Sequence, residues 1–298
     1  MQPRAHDGRL FPSTSELIAS SAGLGWPTMS VELFAHSVTE APTIVPQDVE
    51  ICLVVAGNDD SLVRRTGTGF SNETRAGTGT IWLSPIGIGK EISISAAIPR
   101  TAHLSLPKSL FDQLADDFRL SATPAYSVRH IDGIRDDIIE RIGRSIVAEL
   151  VHESATGRMY VETASMMLAA RLLHKYCDSG ACAATEPGEH GMDRVRLKRV
   201  LDYISTNIGD DVSLADLADV AGYSPFHFAR KFTLAMGVPP HRYVSRLRLE
   251  QAKSDLAAGQ LPLAEIALNA RFSSQASFTR AFRRAAGMTP KQYRRWRN

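Results

Sequence analysis

The sequence holds no uncharged run of about 18 or more apolar residues, the length a membrane-spanning helix requires, so no such helix is expected in its 298 residues. Its first ten residues include Arg4, His6, Asp7 and Arg9 and lead into no apolar stretch with a small-residue cleavage site, so a secretory leader is not expected either. A soluble, cytoplasmic protein with no membrane partner follows as the expectation. Cysteine is scarce. Cys52, Cys177 and Cys182 are odd in number, with no CxxC, which argues against a disulfide framework and a zinc module and for reduced thiols. Histidines such as His36, His103, His130, His152 and His174 are scattered without ligand spacing, so no metal is expected. Catalytic signatures are missing as well. There is no GxGxxG after a strand, no GxSxG and no Ser-x-x-Lys, and Gly87-Ile-Gly-Lys90 lacks the spacing of a phosphate-binding loop. Neither an enzyme nor a cofactor is expected.

What is present is a hidden charge asymmetry. The whole chain carries 34 Lys and Arg against 32 Asp and Glu. Residues 193–298 alone hold 18 against 9, a net +9, and residues 1–192 hold 16 against 23, a net −7. Such a split points to a basic module facing a polyanion, with nucleic acid the leading partner, and an acidic module with another task.

From about residue 30 to 105 the chain is rich in Val, Ile, Thr and Gly. Short apolar runs, such as that at Glu50 to Ala56, alternate with turn-formers, and Gly67/Gly69, Gly77/Gly79 and Gly87/Gly89 recur every ten residues. That is the spacing of turns between strands of a small barrel or sandwich. After Pro107 the period becomes helical: Leu110, Phe111, Leu114 and Phe118, then Ile134, Ile138, Ile139, Ile142 and Ile146, ending near Val151, then a helix from Met159 to Tyr176. The stripe Met166, Met167, Leu168, Leu172 and Leu173 suits either core or a dimer seam. Trp82 and Tyr160 suit an apolar pocket, but aromatic core explains them equally well. Residues 178–192, small, polar and Gly/Pro-containing, read as a linker between domains 1–177 and 193–298.

The basic module contains itself twice. Phe228, Arg230, Phe232, Gly237, Pro240 and Tyr243 recur at an offset of 50 as Phe278, Arg280, Phe282, Gly287, Pro290 and Tyr293. Upstream, Leu214, Leu217 and Ala218 recur at 49 as Leu263, Ile266 and Ala267. Helix punctuation is dense: Ser213 with Asp216 as a capping box, then Ser224-Pro225 and Thr289-Pro290. Each copy reads as helix, tight turn, helix: 214–221 then 225–235, and 263–270 then 275–285. With Phe228 and Phe232 inward, Phe226, Ala229, Arg230 and Thr233 should face out. With Phe278 and Phe282 inward, so should Gln275, Ala276, Thr279, Arg280 and Arg283. Arg forks onto guanine, Gln onto adenine, and Ala or Phe meets a thymine methyl. Lys231, Arg242, Arg284, Arg294, Arg295 and Arg297 would serve phosphates.

Over residues 193–298 the sequence resembles the AraC/XylS transcriptional regulators, through LADLADVAGYSPFHFARKFTLAMGVPPHRYV and LAEIALNARFSSQASFTRAFRRAAGMTPKQYR. The resemblance implies seven helices, with two helix-turn-helix units joined by a long helix at about 242–257, and recognition helices entering successive major grooves. Carried over position by position, it puts base contacts on Phe226, Ala229 and Arg230, and on Ser274, Gln275, Ala276 and Arg280. One departure stands out. Arg271 replaces the glycine that usually closes the first helix of the second unit, a turn that often needs positive φ. Regulators of this kind often carry an N-terminal cupin-like barrel followed by dimerising, effector-binding helices, and residues 30–176 resemble that layout without the HxH and Glu of a metal-dependent cupin.

The expected fold class is therefore α+β: a β-rich cupin-like barrel with dimerisation helices at 134–151 and 159–176, then an all-α domain with two helix-turn-helix units. The expected function is a sequence-specific transcription regulator, an effector-responsive activator. Its partners would be double-stranded DNA, a small-molecule effector, a second copy of itself and RNA polymerase. Two rivals are a non-specific architectural DNA binder and an enzyme with an appended DNA-binding tail. Clustered zinc cysteines, which the second rival would need, are absent.

Overall fold

Turn-formers cut the first half of the chain into short strands, and the computed structural model, which describes residues 15–118, 124–177 and 192–297, pairs them all antiparallel. The strands are β1 (Ser15–Ser20), β2 (Ser30–His36), β3 (Thr39–Ile44), β4 (Val49–Ala56), β5 (Leu62–Gly67), β6 (Phe70–Arg75), β7 (Ile81–Ser84), β8 (Lys90–Ile94), β9 (Ile98–Leu106) and, after helix α1 (Lys108–Phe118), β10 (Ile131–Ile134). They build a six-stranded sheet in the order β1-β2-β9-β4-β7-β10 and a four-stranded sheet in the order β3-β8-β5-β6. Of the expected cupin-like barrel, the β-rich architecture is present as two sheets that no strand pairing closes onto each other among the described residues. Glycines with positive φ, Gly69, Gly79 and Gly87, lie in the β5–β6, β6–β7 and β7–β8 connections, as the ten-residue recurrence anticipates.

Two-residue alternation sorts β4 and β9. Ile51, Leu53, Ala102 and Leu104 are fully buried on one side. Glu50, Cys52, Thr101 and His103, one residue out of phase, line a cavity together with Val63, Arg65 and Lys90 of the smaller sheet. Helix α2 (Asp137–Val151) covers the first side, so closely that a Cβ at Gly143 would stand 2.7 Å from Leu53 Cδ2. Helix α3 (Gly157–Lys175) follows.

The helical period read from Ile134 onward starts too early. Ile134 belongs to β10, opposite Ile81 of β7. The helix begins only after Asp136, whose Oδ1 accepts from the N–H groups of Ile138 and Ile139 at 3.1 Å each. Asp136 Oδ2 also accepts from Arg171, Lys175 and the Tyr176 hydroxyl at 2.8, 3.1 and 2.7 Å, tying α3 to the start of α2. Of the α3 stripe, Met166, Leu168, Leu172 and Leu173 are buried within the chain and Met167 is exposed. That is core packing, and no second chain is needed to cover it.

The chain divides into two units, Met1–Leu150 with Ala164–Thr185, and Val151–Thr163 with Glu186–Asn298. The second contains α4 (Arg194–Thr206), α5 (Leu214–Ala221), α6 (Pro225–Met236), α7 (Pro240–Ala258), α8 (Leu263–Asn269), α9 (Gln275–Ala286) and α10 (Pro290–Arg297), the seven helices expected. The expected linker lies, but for Met192, outside the described residues, as does Cys182. No helix among the described residues is long and apolar enough to cross a membrane.

Candidate nucleic-acid interface

The duplication in sequence is a duplication in space. Ser224 N-caps α6 by accepting from His227 N, and Ser274 N-caps α9 by accepting from Ser277 N. The Phe228 and Phe232 rings lie 5.4 Å apart, those of Phe278 and Phe282 5.5 Å. Tyr243 of α7 meets Phe232 edge-on at 5.6 Å, and Tyr293 of α10 meets Phe282 edge-on at 5.4 Å. All four phenylalanines are fully buried. Gly237 and Gly287 close the two helices in left-handed conformation. The capping box at Ser213 and Asp216 starts α5.

This core decides which side chains are left for a ligand. Arg230 and Arg280 are exposed at equivalent places on α6 and α9, and Ser274, Gln275, Ala276 and Arg283 are exposed too. Phe226, Thr233 and Thr279 are half-buried. Ala229 is buried, contrary to the outward position expected of it. It directly follows Phe228 and precedes Phe232 by three, so it borders the apolar face, and a lone methyl there is covered by its neighbours. Among the phosphate candidates, Arg242, Arg284 and Arg295 are exposed. Lys231 Nζ lies 5.6 Å from the Tyr223 ring centre. Arg294 has an internal duty, donating to the Leu261 carbonyl oxygen at 2.6 Å.

Sequence reading missed what braces these helices. Glu162 Oε2 accepts from the Leu214 backbone N–H at 2.9 Å, at the first turn of α5. Ser273, just ahead of α9, donates to the Glu153 carbonyl oxygen at 2.9 Å. Buried Arg248 of α7 donates to the carbonyl oxygens of Ala155, Ile208 and Asp210. Burial, then the nearby Arg271, lowers its pKa to about 10. Segment 151–163 therefore bonds to both helix-turn-helix units. A buried Arg answering three carbonyls has no periodic signature, so nothing in the sequence announces it.

A second polar constellation lies in the first unit. His36 and His103, scattered in sequence, face each other with Nε2 atoms 3.2 Å apart because β2 and β9 are neighbours. His103 Nδ1 meets Glu50 Oε1 at 2.9 Å, the other Glu50 oxygen accepts from Lys90, and Cys52 Sγ lies 4.0 Å from His103 Nε2. Burial works against a charge on His103, but Cys52 and the Glu50 carboxylate outweigh it and push its pKa up to about 10. Burial, then His103, pulls His36 down to about 3. Among the described residues no group of three or more His, Cys, Asp and Glu side chains could hold a metal ion. Trp82 lines the adjoining cavity, whereas Tyr160 stacks edge-on against His241 in the second unit.

Two buried aromatic pairs, two matched caps and two exposed arginines at one offset define a double helix-turn-helix domain. Residues 217–295 match the helix-turn-helix domain family model. The second unit is a helix-turn-helix domain of AraC type. Curated relatives match about a third of the chain. An uncharacterized HTH-type transcriptional regulator of Staphylococcus aureus strain COL is 40% identical over 99 residues, 33% of this chain and 13% of that protein. A probable transcriptional regulator, LumQ, of Photobacterium leiognathi is 39% identical over 105 residues, 35% of this chain and 42% of that one. The chain thus spans less than half the length of either. Among solved structures, a transcriptional regulator with an AraC-type DNA-binding domain from Chromobacterium violaceum is 28% identical, covering 35% of this chain and 93% of its own, with a TM-score of 0.34.

Proposed function

We propose that this chain is a sequence-specific DNA-binding transcription regulator, an effector-responsive activator working as a homodimer, whose helices α6 and α9 read successive major grooves. The observation that carries the reading is the pair Arg230 and Arg280, exposed at equivalent places on two equally built helices in a module of net +9. A solvated arginine needs no repetition. A base-reading arginine in a duplicated unit does, because each fork addresses its own guanine. Phe226, Ser274, Gln275 and Ala276 would add base contacts, and Arg242, Arg284 and Arg295 phosphate contacts. Buried Ala229 is left out. An effector in the first unit would act by binding one arrangement of the two units better than another, the condition for any population shift.

The test is fluorescence anisotropy of the full chain on its own upstream DNA and on a scrambled duplex, across salt, for wild type and Arg230→Ala. The reading expects a wild-type preference for the upstream DNA that the variant loses, at a cost of about 1–3 kcal/mol. Equal binding to both duplexes, unchanged in the variant, together with no enriched motif in a genome-wide selection of bound DNA, would leave an architectural binder.

A further inference from the structure

Two helix-turn-helix copies joined by one helix have no fixed angle of their own. Helix α7 spans 19 residues, about 28 Å at 1.5 Å per residue. Its first turn packs on the first copy, through Tyr243 and Phe232, and its second half on the second copy, through Leu249, Ala252 and Leu256. Long helices bend, so a single rod holds the angle between its two loads only loosely.

Residues 151–163 supply a second tie. They belong to the second unit, although residues 164–185 of the first come between them and the rest of it in sequence. This segment reaches each copy separately. Toward the first, Glu162, 3% exposed, accepts from the Leu214 N–H at 2.9 Å, and Arg158 donates to both Glu162, at 3.2 Å, and Asp211, at 3.4 Å. Toward the second, the Glu153 carbonyl accepts from Ser273 at 2.9 Å, and Ala155 packs against the core of Phe272, Phe278 and Phe282. Between them the segment meets α7 twice. The Tyr160 ring centre lies 5.0 Å from that of His241 in the first turn, and the Ala155 carbonyl accepts from Arg248 in the middle. Arg248 joins the two sides, because its other donors hold the Ile208 and Asp210 carbonyls just ahead of α5.

A rod with a second tie across it fixes an angle that the rod alone does not. Reading two grooves at once rewards such rigidity. Contacts in successive major grooves fall about 34 Å apart, and each base pair of misplacement shifts one of them by roughly 3.4 Å along the duplex. We propose that segment 151–163 is a strut that sets the separation and phase of α6 and α9, with Arg248, Glu162 and Ser273 as positioning residues that make binding depend on the spacing of two recognised stretches of DNA. The proposal rests on the regulator reading for its DNA readout alone, since the strut also has a readout without DNA.

Anisotropy of the full chain tests it on three duplexes: the upstream DNA, the same with two base pairs inserted between the stretches contacted by α6 and α9, and the same with one stretch scrambled. Wild type should bind the inserted duplex about tenfold more weakly than the upstream one, or worse. Glu162→Ala combined with Ser273→Ala should bind the upstream duplex roughly three- to tenfold more weakly, lose less than about threefold on insertion, and match wild type on the duplex with one stretch scrambled. Glu162→Gln, which keeps the acceptor, should follow wild type on all three. Where wild type prefers the upstream DNA, three results overturn the strut: insertion without cost to wild type, a double variant as sensitive to insertion as wild type, or one equally weakened on every duplex. Hydrogen exchange separates the strut from the regulator reading and decides the matter if the double variant does not fold. Ser273→Ala removes one surface bond at the second copy, and should speed exchange of the Leu214 amide in the first copy by about twofold or more with circular dichroism unchanged. An unaffected Leu214 amide overturns the strut even where DNA is read. A responsive amide in a chain that prefers no duplex leaves the strut standing and the regulator reading fallen.

Discussion

Gly222 and Arg271 occupy the same place in the two helix-turn-helix copies and hold the same left-handed backbone, φ 64° and 62°. The hydrogen bonds repeat as well. Tyr223 N donates to Ala218 O at 3.0 Å, and Phe272 N to Ala267 O at 2.9 Å. Arg271 is the sole non-glycine residue with positive φ among those described. The bonding that closes a helix in this way dictates the conformation whatever the side chain, and an L residue there is strained by roughly 1–2 kcal/mol. Because glycine loses more chain entropy on folding, Arg271→Gly should stabilise the protein by a net of about 0.5–1 kcal/mol. Urea denaturation measures it. Gly222→Arg should destabilise by a similar amount. An unaltered midpoint together with unaltered DNA affinity in Arg271→Gly would remove both the strain account and the alternative, that Arg271 offsets its strain through a phosphate contact.

The Glu162–Leu214 bond separates hydrogen bonding from charge. Burial raises the Glu162 pKa, against the opposing pull of the Leu214 N–H and Arg158. A carboxyl with a raised folded pKa favours folding most at low pH, and that advantage fades as pH rises through the folded value. Glu162→Gln keeps an acceptor for Leu214 and buries no charge, so at pH 7 it should match or slightly exceed wild type in stability. Glu162→Ala leaves a buried N–H unanswered and should cost about 1–3 kcal/mol. Denaturation midpoints that coincide for the two variants would show that the bond contributes nothing.

Base and phosphate roles predict different salt behaviour for two arginines four residues apart on α9. Arg280→Ala should cost about 1–3 kcal/mol on the preferred duplex alone, with the salt slope little changed. Arg284→Ala should weaken all duplexes alike and lower the slope of log K against log salt by about 1. Titrations at several salt concentrations on both duplexes check the pair, and identical profiles for the two variants would refute the division of labour.

How far the sequence reaches depends on whether the signal is local. The helix-turn-helix units were legible because capping residues, aromatic spacing and the offset of 50 all lie within a few turns of chain, and α5, α6, α8 and α9 start and stop within a residue or two of expectation. The strands were legible as strands but not as sheets, since a ten-residue glycine rhythm says nothing about whether β6 pairs onward to close a barrel. Ile134 deceived because isoleucines four apart satisfy a helix, while the Asp136 cap that delays its start is visible only with its partners. Ala229 was misplaced since helical phase is coarse and a methyl at the face border is easily covered. Most remote of all is the buried polar network between the two sheets. Glu50, Arg65, Ser84, Lys90 and His103 sit on five different strands, and only strand order brings them together.

The two facing histidines set a pH optimum for the first unit, through opposite signs. His36, its pKa lowered from 6.5 to about 3 by burial and then by His103, takes up its proton more readily in the unfolded chain, so stability is lost as pH falls from about 6.5 toward 3. His103, raised from 6.5 to about 10 by Cys52 and Glu50 against its burial, holds its proton better when folded, so its contribution is complete below about 6.5 and disappears as pH rises toward 10. Glu50, held well below its usual range by Lys90 and His103 despite complete burial, adds to the loss on the acid side. Ser15 of β1, at 2.9 Å from His36 Nδ1, is neutral and carries no pH term. Stability of this unit should therefore peak near pH 6.5 and fall on both sides. His103→Gln should flatten the alkaline limb and leave the His36 part of the acid limb in place. Thermal melts from pH 4 to 10 read both limbs, and a wild-type profile that is flat between 6.5 and 9 would show that His103 does not hold its proton in the folded chain.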